Sequence, residues 1–239
     1  MKNPNTQLRE YLDTLIQRFL NTKSLYQELK CVYGWKTPKR FEAYNLGAYF
    51  FELAEYSLLR VILVELSMLL SKNEVRSLID WLEKAREHAA SLGPTCYNPS
   101  YSGGERQPMK EKEYCALIDR HKSRLDAQQN VIDRIKARRD KAIAHFDSAY
   151  FNNLKALDKR YPLAYSEIDR LMDVVSDILR KHYSCLFKAD LRMEILSTRN
   201  IDLVLNYARA FQRTRKDRAL IRKGFKPGAY MRDEYEEDK

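Results

Sequence analysis

Between positions 138 and 147 the chain reads Arg-Arg-Asp-Lys-Ala-Ile-Ala-His-Phe-Asp, which sets three cations and two acids around one imidazole. Histidine is scarce here, with four in 239 residues. It is the side chain whose ordinary pKa lets it take and give protons near neutral pH. Arg138 and Arg139 stand seven and six positions before His145 and stay charged at any such pH. A proton carrier beside a permanent cation suits phosphate-ester chemistry, because the arginine holds a phosphate oxygen while the histidine moves a proton.

Helical geometry separates the two arginines. At about 100° per residue, Arg138 and His145 share a face of an ideal helix, whereas Arg139 and His145 sit roughly 120° apart. If Arg139 is the working cation, the helix should be interrupted, or should begin, between the two. The competing description is a solvated charged helix that happens to carry a surface histidine.

An Arg followed by His after four to six intervening residues resembles the signature of the HEPN superfamily. Arg139 to His145 fits it with five and Arg138 to His145 with six. Continued through Phe146 and Asp147, the string most resembles the abortive-infection AbiU-type branch. Likeness to that family implies a helical bundle and, in many members, a metal-independent ribonuclease working as a homodimer. It implies His145 as general acid/base and Arg139 as the cation on phosphorus. Arg138, Asp140, Lys141 and Asp147 are supporting residues in this reading, and the choice between Arg138 and Arg139 stays open. Some HEPN toxins carry Tyr two residues after the His, where a partner nucleotidyltransferase modifies it. Asp147 stands there in this chain, so that form of control does not carry over.

The elements around the motif are read from hydrophobic spacing. Seven Gly and seven Pro in 239 residues leave little punctuation, so long antiparallel helices are expected in an all-α HEPN-like bundle. Leu8, Leu12, Leu15, Ile16, Phe19 and Leu20 give one apolar stripe over 6–33, with Trp35 as a core plug after it. Residues 39–71 are apolar on nearly every face, which marks a central helix. Glu52, Glu55, Arg60 and Glu65 keep it from being a membrane span, and these acids either orient the motif or simply pair with neighbouring helices. A third helix is expected over 73–92, capped by Asn73, with Val75 on its inner face and His88 at its surface. Helices follow over 109–138, 164–187 and 199–215, with a short turn inside 148–157. His121, between Arg120 and Lys122, reads as exposed, and His182 as a cation at a helix C-terminus. Residues 93–108, carrying three prolines and Gly103-Gly104, form one long loop, either a plain surface loop or a flap over a site.

Charge points to a polyanion. The net charge is +10 and the pI about 9.3. Between 209 and 226 stand eight cations and one acid, and Asp233, Glu234, Glu236, Glu237 and Asp238 then reverse the sign. The expected organisation is a helical domain over 1–208 and a charged extension over 209–239. Arg213, Arg215, Lys216, Arg218, Arg222 and Lys223 are the candidate RNA contacts, with a solvated tail as the other description. The acidic end would compete for that arm by folding back on it. Cys31, Cys96, Cys115 and Cys185 lie far apart, and no metal-ligand spacing appears, so no metal or cofactor is expected. The N-terminal residues are polar without an apolar signal core, consistent with a cytoplasmic protein and no membrane partner.

The resemblance implies an endoribonuclease of toxin or phage-defence type acting on RNA, and leaves open whether an antitoxin or activating protein controls it. The second hypothesis is a non-catalytic HEPN-like module that binds nucleic acid or protein.

Overall fold

The structure, a computed structural model, describes residues 4–37, 40–72, 74–93, 96, 108–144, 154–193 and 200–224. His145 and Asp147 lie outside the described residues, as do most of the 93–108 loop and the acidic end 233–238. Every described regular element is helical. They are α1 (Pro4–Gly34), α2 (Phe41–Tyr44), α3 (Ala48–Leu70), α4 (Leu78–Glu87), α5 (Ala89–Leu92), α6 (Glu111–Asp126), α7 (Gln129–Arg138), α8 (Leu154–Arg160), α9 (Tyr165–Phe187) and α10 (Asn200–Ile221), with a 3₁₀ turn at Asn45–Gly47 and a π-helical turn at Arg139–Ala144. No described helix is long and apolar enough to cross a membrane. The chain forms two compact units, Met1–Ser24 with Arg60–Ile195, and Leu25–Leu59 with Leu196–Lys239.

The first unit holds the motif, and its side-chain pairs give its helix directions. Asn5 bonds the Ser91 carbonyl and Trp81 the Leu8 carbonyl, while Tyr11 bonds Asp80, so α1 and α4 run antiparallel. Arg86 pairs with Asp119 and Lys122 with Glu83, which makes α4 and α6 antiparallel too. Arg124 pairs with Asp177 and Arg134 with Glu167, so α6 and α7 run back along α9. Leu12, Phe19, Leu66, Trp81, Ile118, Val175 and Leu179 fill the space between them. Burying a side chain of that size stabilises by about 1.5–3 kcal/mol, which is why α-helical stripes rather than helix propensity hold the unit together.

Several local expectations change. The helix expected from Asn73 starts at Leu78, because the Ser77 hydroxyl accepts from the Asp80 amide and caps it; Val75 is exposed. The single helix expected over 109–138 breaks at Ala127–Gln128. His121, expected at the surface, and His182, expected as a cation at a helix end, are both fully buried, and burial disfavours the charged form of each. Tyr114, Leu117, Ile118, His121 and Leu125 are one stripe at three- and four-residue steps, and it turns the His121 ring into the core while Arg120 and Lys122 flank it. Its Nδ1 lies 3.0 Å from His182 Nε2, and His182 Nδ1 lies 3.4 Å from the Tyr114 hydroxyl.

The second unit is smaller. Val32, Trp35, Ala43, Tyr44, Phe51 and Leu205 form its core, flanked by Ala48 and Ile201. The Trp35 indole N–H donates to Asp202 at 2.6 Å, so the expected core plug also ties α1 to α10. The Glu28 carboxylate accepts from the Asn200 and Ile201 amides at the start of α10. Here the expectation of a helix buried on all sides fails. Within this unit α3 sends only one side into the small core, leaving Tyr49, Phe50, Leu53 and Tyr56 exposed, whereas its later residues Ile62, Leu63, Leu66, Leu69 and Leu70 are buried in the first unit.

Candidate active site

The site is built where α7 stops being an α-helix. Val131, Ile132 and Ile135 seat α7 in the core, and the backbone then widens at Arg139–Ala144. Such wide turns are rare and shift side-chain register. The interruption begins at Arg139 itself and runs to the residue before the histidine position, leaving Arg138 on the regular helix.

The structure gives the arginines different surroundings. The Arg138 Nε donates to the Tyr161 carbonyl at 2.6 Å, and its Nη2 pairs with Asp158 at 2.7 Å. Its side chain is 11% exposed, and its fork is spent on the segment that leads into α9. Arg139 turns to its neighbour and to α3. Its Nε and Nη2 lie 2.7 and 2.6 Å from one oxygen of Asp140. Its Nη1 donates to the Ser67 hydroxyl at 3.1 Å and lies 4.0 Å from a Glu74 oxygen.

Ser67 is nearly fully buried and its hydroxyl donates to the Val64 carbonyl at 2.8 Å, which leaves a lone pair for Arg139. A guanidinium held at its edges and partly open is suited to receive an oxyanion, since its planar fork matches phosphate oxygens. Lys141 lies in the same widened turn, half-buried. Arg139, Asp140, Ser67 and Glu74 are thus brought together, and Arg138 is directed to Asp158.

Sequence reasoning missed Ser67, Glu74, Asp158 and Tyr161. For Ser67 a signal existed: a hydroxyl inside the apolar run Val64-Glu65-Leu66-Ser67-Met68 must find partners once buried. Of the acids weighed as orienting groups, Glu65 and Glu55 are engaged elsewhere. Glu65 pairs with Arg18 at 2.8 Å and Glu55 with Lys36 at 2.5 Å. The candidate RNA contacts all lie on or just after α10 in the second unit. Arg215, Arg218, Arg222 and Lys223 are exposed, and Arg213 and Lys216 are half-buried. None of the four cysteines is in a disulfide, and burial pushes Cys185 up to about 12, far from a reactive thiolate.

A family model described as AbiU2, of the HEPN class, matches residues 7–207. No curated protein and no solved structure matches the chain.

Proposed function

The chain belongs to the HEPN AbiU2 family, and from that premise we propose that it is a metal-independent endoribonuclease of the abortive-infection type. The observation that carries the reading is the setting of Arg139, gripped by Asp140 and Ser67 at the point where the helix widens. Arg138 serves as scaffold, because its Nε and Nη2 are held by Tyr161 and Asp158.

In the reaction, the ribose 2′-oxygen attacks phosphorus and the bond from phosphorus to the 5′-oxygen breaks. The proton leaves the 2′-hydroxyl and a proton reaches the departing 5′-oxygen. His145 performs one of these transfers, and the His145 of a second copy in a homodimer performs the other. The products are a 2′,3′-cyclic phosphate and a 5′-hydroxyl, so DNA, which lacks the 2′-hydroxyl, is not cut. Arg139 meets the extra negative charge on phosphorus. Donors fixed in place before the charge develops need no reorganisation when it appears, and each is worth roughly 10²–10³ in rate. Asp140 holds the guanidinium until phosphate competes for it, and Lys141 contacts flanking phosphate. The basic residues of α10 add affinity for the RNA backbone.

The test is incubation of the full chain with a mixed RNA pool in EDTA, beside Arg139→Ala/His145→Ala. Fragments with cyclic-phosphate ends from the parent chain alone support the reading. Equal cleavage by the double variant overturns the assignment of the site to Arg139 and His145, and no cleavage by either protein overturns the ribonuclease reading and favours the non-catalytic binding module.

A further inference from the structure

The outward side of α10 carries an uncommon order of residues. Val204, Tyr207, Phe211, Arg215, Arg218 and Arg222 recur at three- and four-residue steps, which confines them to roughly 80° of the helix circumference. Ile201 and Leu205 lie about 60° and 100° round the helix from Val204 and pack into the core of the second unit. The row is exposed along its length, with Tyr207 at 70% and Phe211 at 66%. Its first half is apolar and aromatic and its second half is cationic, over about 27 Å from end to end at 1.5 Å per residue.

We infer that this row is a track for single-stranded RNA, with Tyr207 and Phe211 stacking on bases and Arg215, Arg218 and Arg222 taking phosphates. The inference deepens the proposed function and rests on RNA being the substrate. Solvent-facing aromatics beside a cationic run are the two components of sequence-tolerant single-strand binding, since every base offers a π-face. Duplex RNA keeps its bases stacked inside and offers these rings little. A membrane-surface helix has its apolar and charged residues on opposite faces, whereas here they follow each other on one face. A second copy laid on the row would meet three cations with no acid in the row to answer them.

The experiment uses full-length protein carrying His145→Ala, so that RNA is not consumed, and a labelled oligouridylate followed by fluorescence anisotropy. Tyr207→Ala/Phe211→Ala should weaken binding by roughly thirtyfold or more, leaving the salt dependence unchanged. Tyr207→Trp/Phe211→Trp should keep it. Arg215→Ala/Arg218→Ala/Arg222→Ala should reduce the slope of log affinity against log salt by about 2. Affinity for a duplex of the same length should ignore the aromatic change. Unaltered oligouridylate binding in Tyr207→Ala/Phe211→Ala overturns the inference. If sedimentation then shows that the same variant has lost its dimer, the face belongs to a second copy. The two readings fail separately. Binding on the row with no cleavage by the parent chain removes the ribonuclease and keeps the track; cleavage by the parent with unaltered binding in the aromatic variant does the reverse.

Discussion

The Ser67 hydroxyl lies 3.1 Å from Nη1 of Arg139, across 72 positions of sequence. Because that hydroxyl donates to the Val64 carbonyl and is buried, it cannot turn away to water. It therefore fixes where the guanidinium points, from a helix packed in the core. Ser67→Ala removes one of the grips on Arg139 and leaves Asp140. A hydrogen bond to a charged group is worth about 1.5–3 kcal/mol, and only part of that is felt as lost orientation. The expected result is a roughly tenfold loss in initial RNA-cleavage rate with little change in KM, which corresponds to about 1.4 kcal/mol of barrier. An unchanged rate would show that Asp140 alone positions the arginine.

Arg138 and Arg139 should separate cleanly. Arg138→Ala removes the charged donor to the part-buried Tyr161 carbonyl and loosens the segment leading into α9, while the largely exposed Asp158 carboxylate returns to water. Unfolding in urea should show a loss of about 1.5–3 kcal/mol. Arg139→Ala should change stability by less than about 1 kcal/mol, because Asp140 and Glu74 are partly solvated and the buried Ser67 hydroxyl keeps its bond to the Val64 carbonyl, and should abolish cleavage. The reverse pattern would exchange their roles.

How far the sequence could be read depends on the range of the interactions involved. The stripes at three- and four-residue steps placed α1, α6, α9 and α10, because core burial dictates them. The same stripe contained His121, one turn after Ile118 and one before Leu125, and its polar neighbours misled the reading. Local composition described the flanks there, and spacing described the face. The start of α4 turned on a single hydroxyl, that of Ser77, four positions after Asn73, and both residue types are good caps. The first half of α3 is apolar in the manner of a central helix, yet only one side of it is covered in the second unit. Hydrophobic spacing shows what can be buried, and the amount of chain available to bury it is a property of the whole fold. The different surroundings of the two arginines were out of reach for the same reason. They rest on Asp158, Tyr161 and Ser67, between 20 and 72 positions away.

Glu28 should matter to the second unit out of proportion to its place on the surface. Its carboxylate faces the first amides of α10, at 3.3 and 3.2 Å, where the helix dipole favours negative charge. Glu28→Gln keeps the shape and removes the charge, at a cost of about 0.3–1 kcal/mol. Amide hydrogen exchange over the first turns of α10 should quicken, with exchange in α6 and α9 unaffected. Uniform quickening in all three would mean that Glu28 supports more than the end of one helix.

The buried histidine pair should make folding sensitive to mild acid. Burial lowers His121 to about 4, with the nearby Lys181 and Arg124 acting in the same direction and Asp177 against them. Burial also lowers His182, and His121 beside it adds to the effect. The geometry has a consistent neutral form: Tyr114 O–H donates to His182 Nδ1, and His182 Nε2–H donates to His121 Nδ1. Protonating either ring breaks that order. The unfolded chain takes up its proton at the ordinary value of about 6.5, while the folded chain resists until about pH 4. Stability is therefore whole above pH 6.5 and falls as the pH drops from there to about 4, by on the order of 2–3 kcal/mol for His121 alone. Asp177 has its own, lower window. Burial opposes its ionisation, but hydrogen bonds from Arg124, Lys181 and Arg180 more than offset this and hold it well below the usual carboxylate range, so its contribution is lost only at stronger acidity. Urea unfolding followed between pH 7.5 and pH 4 should show the midpoint falling, and His121→Gln should flatten the curve while lowering it at pH 7.5. A midpoint that stays level down to pH 4 in the parent chain would mean that the pair is not held neutral by the core.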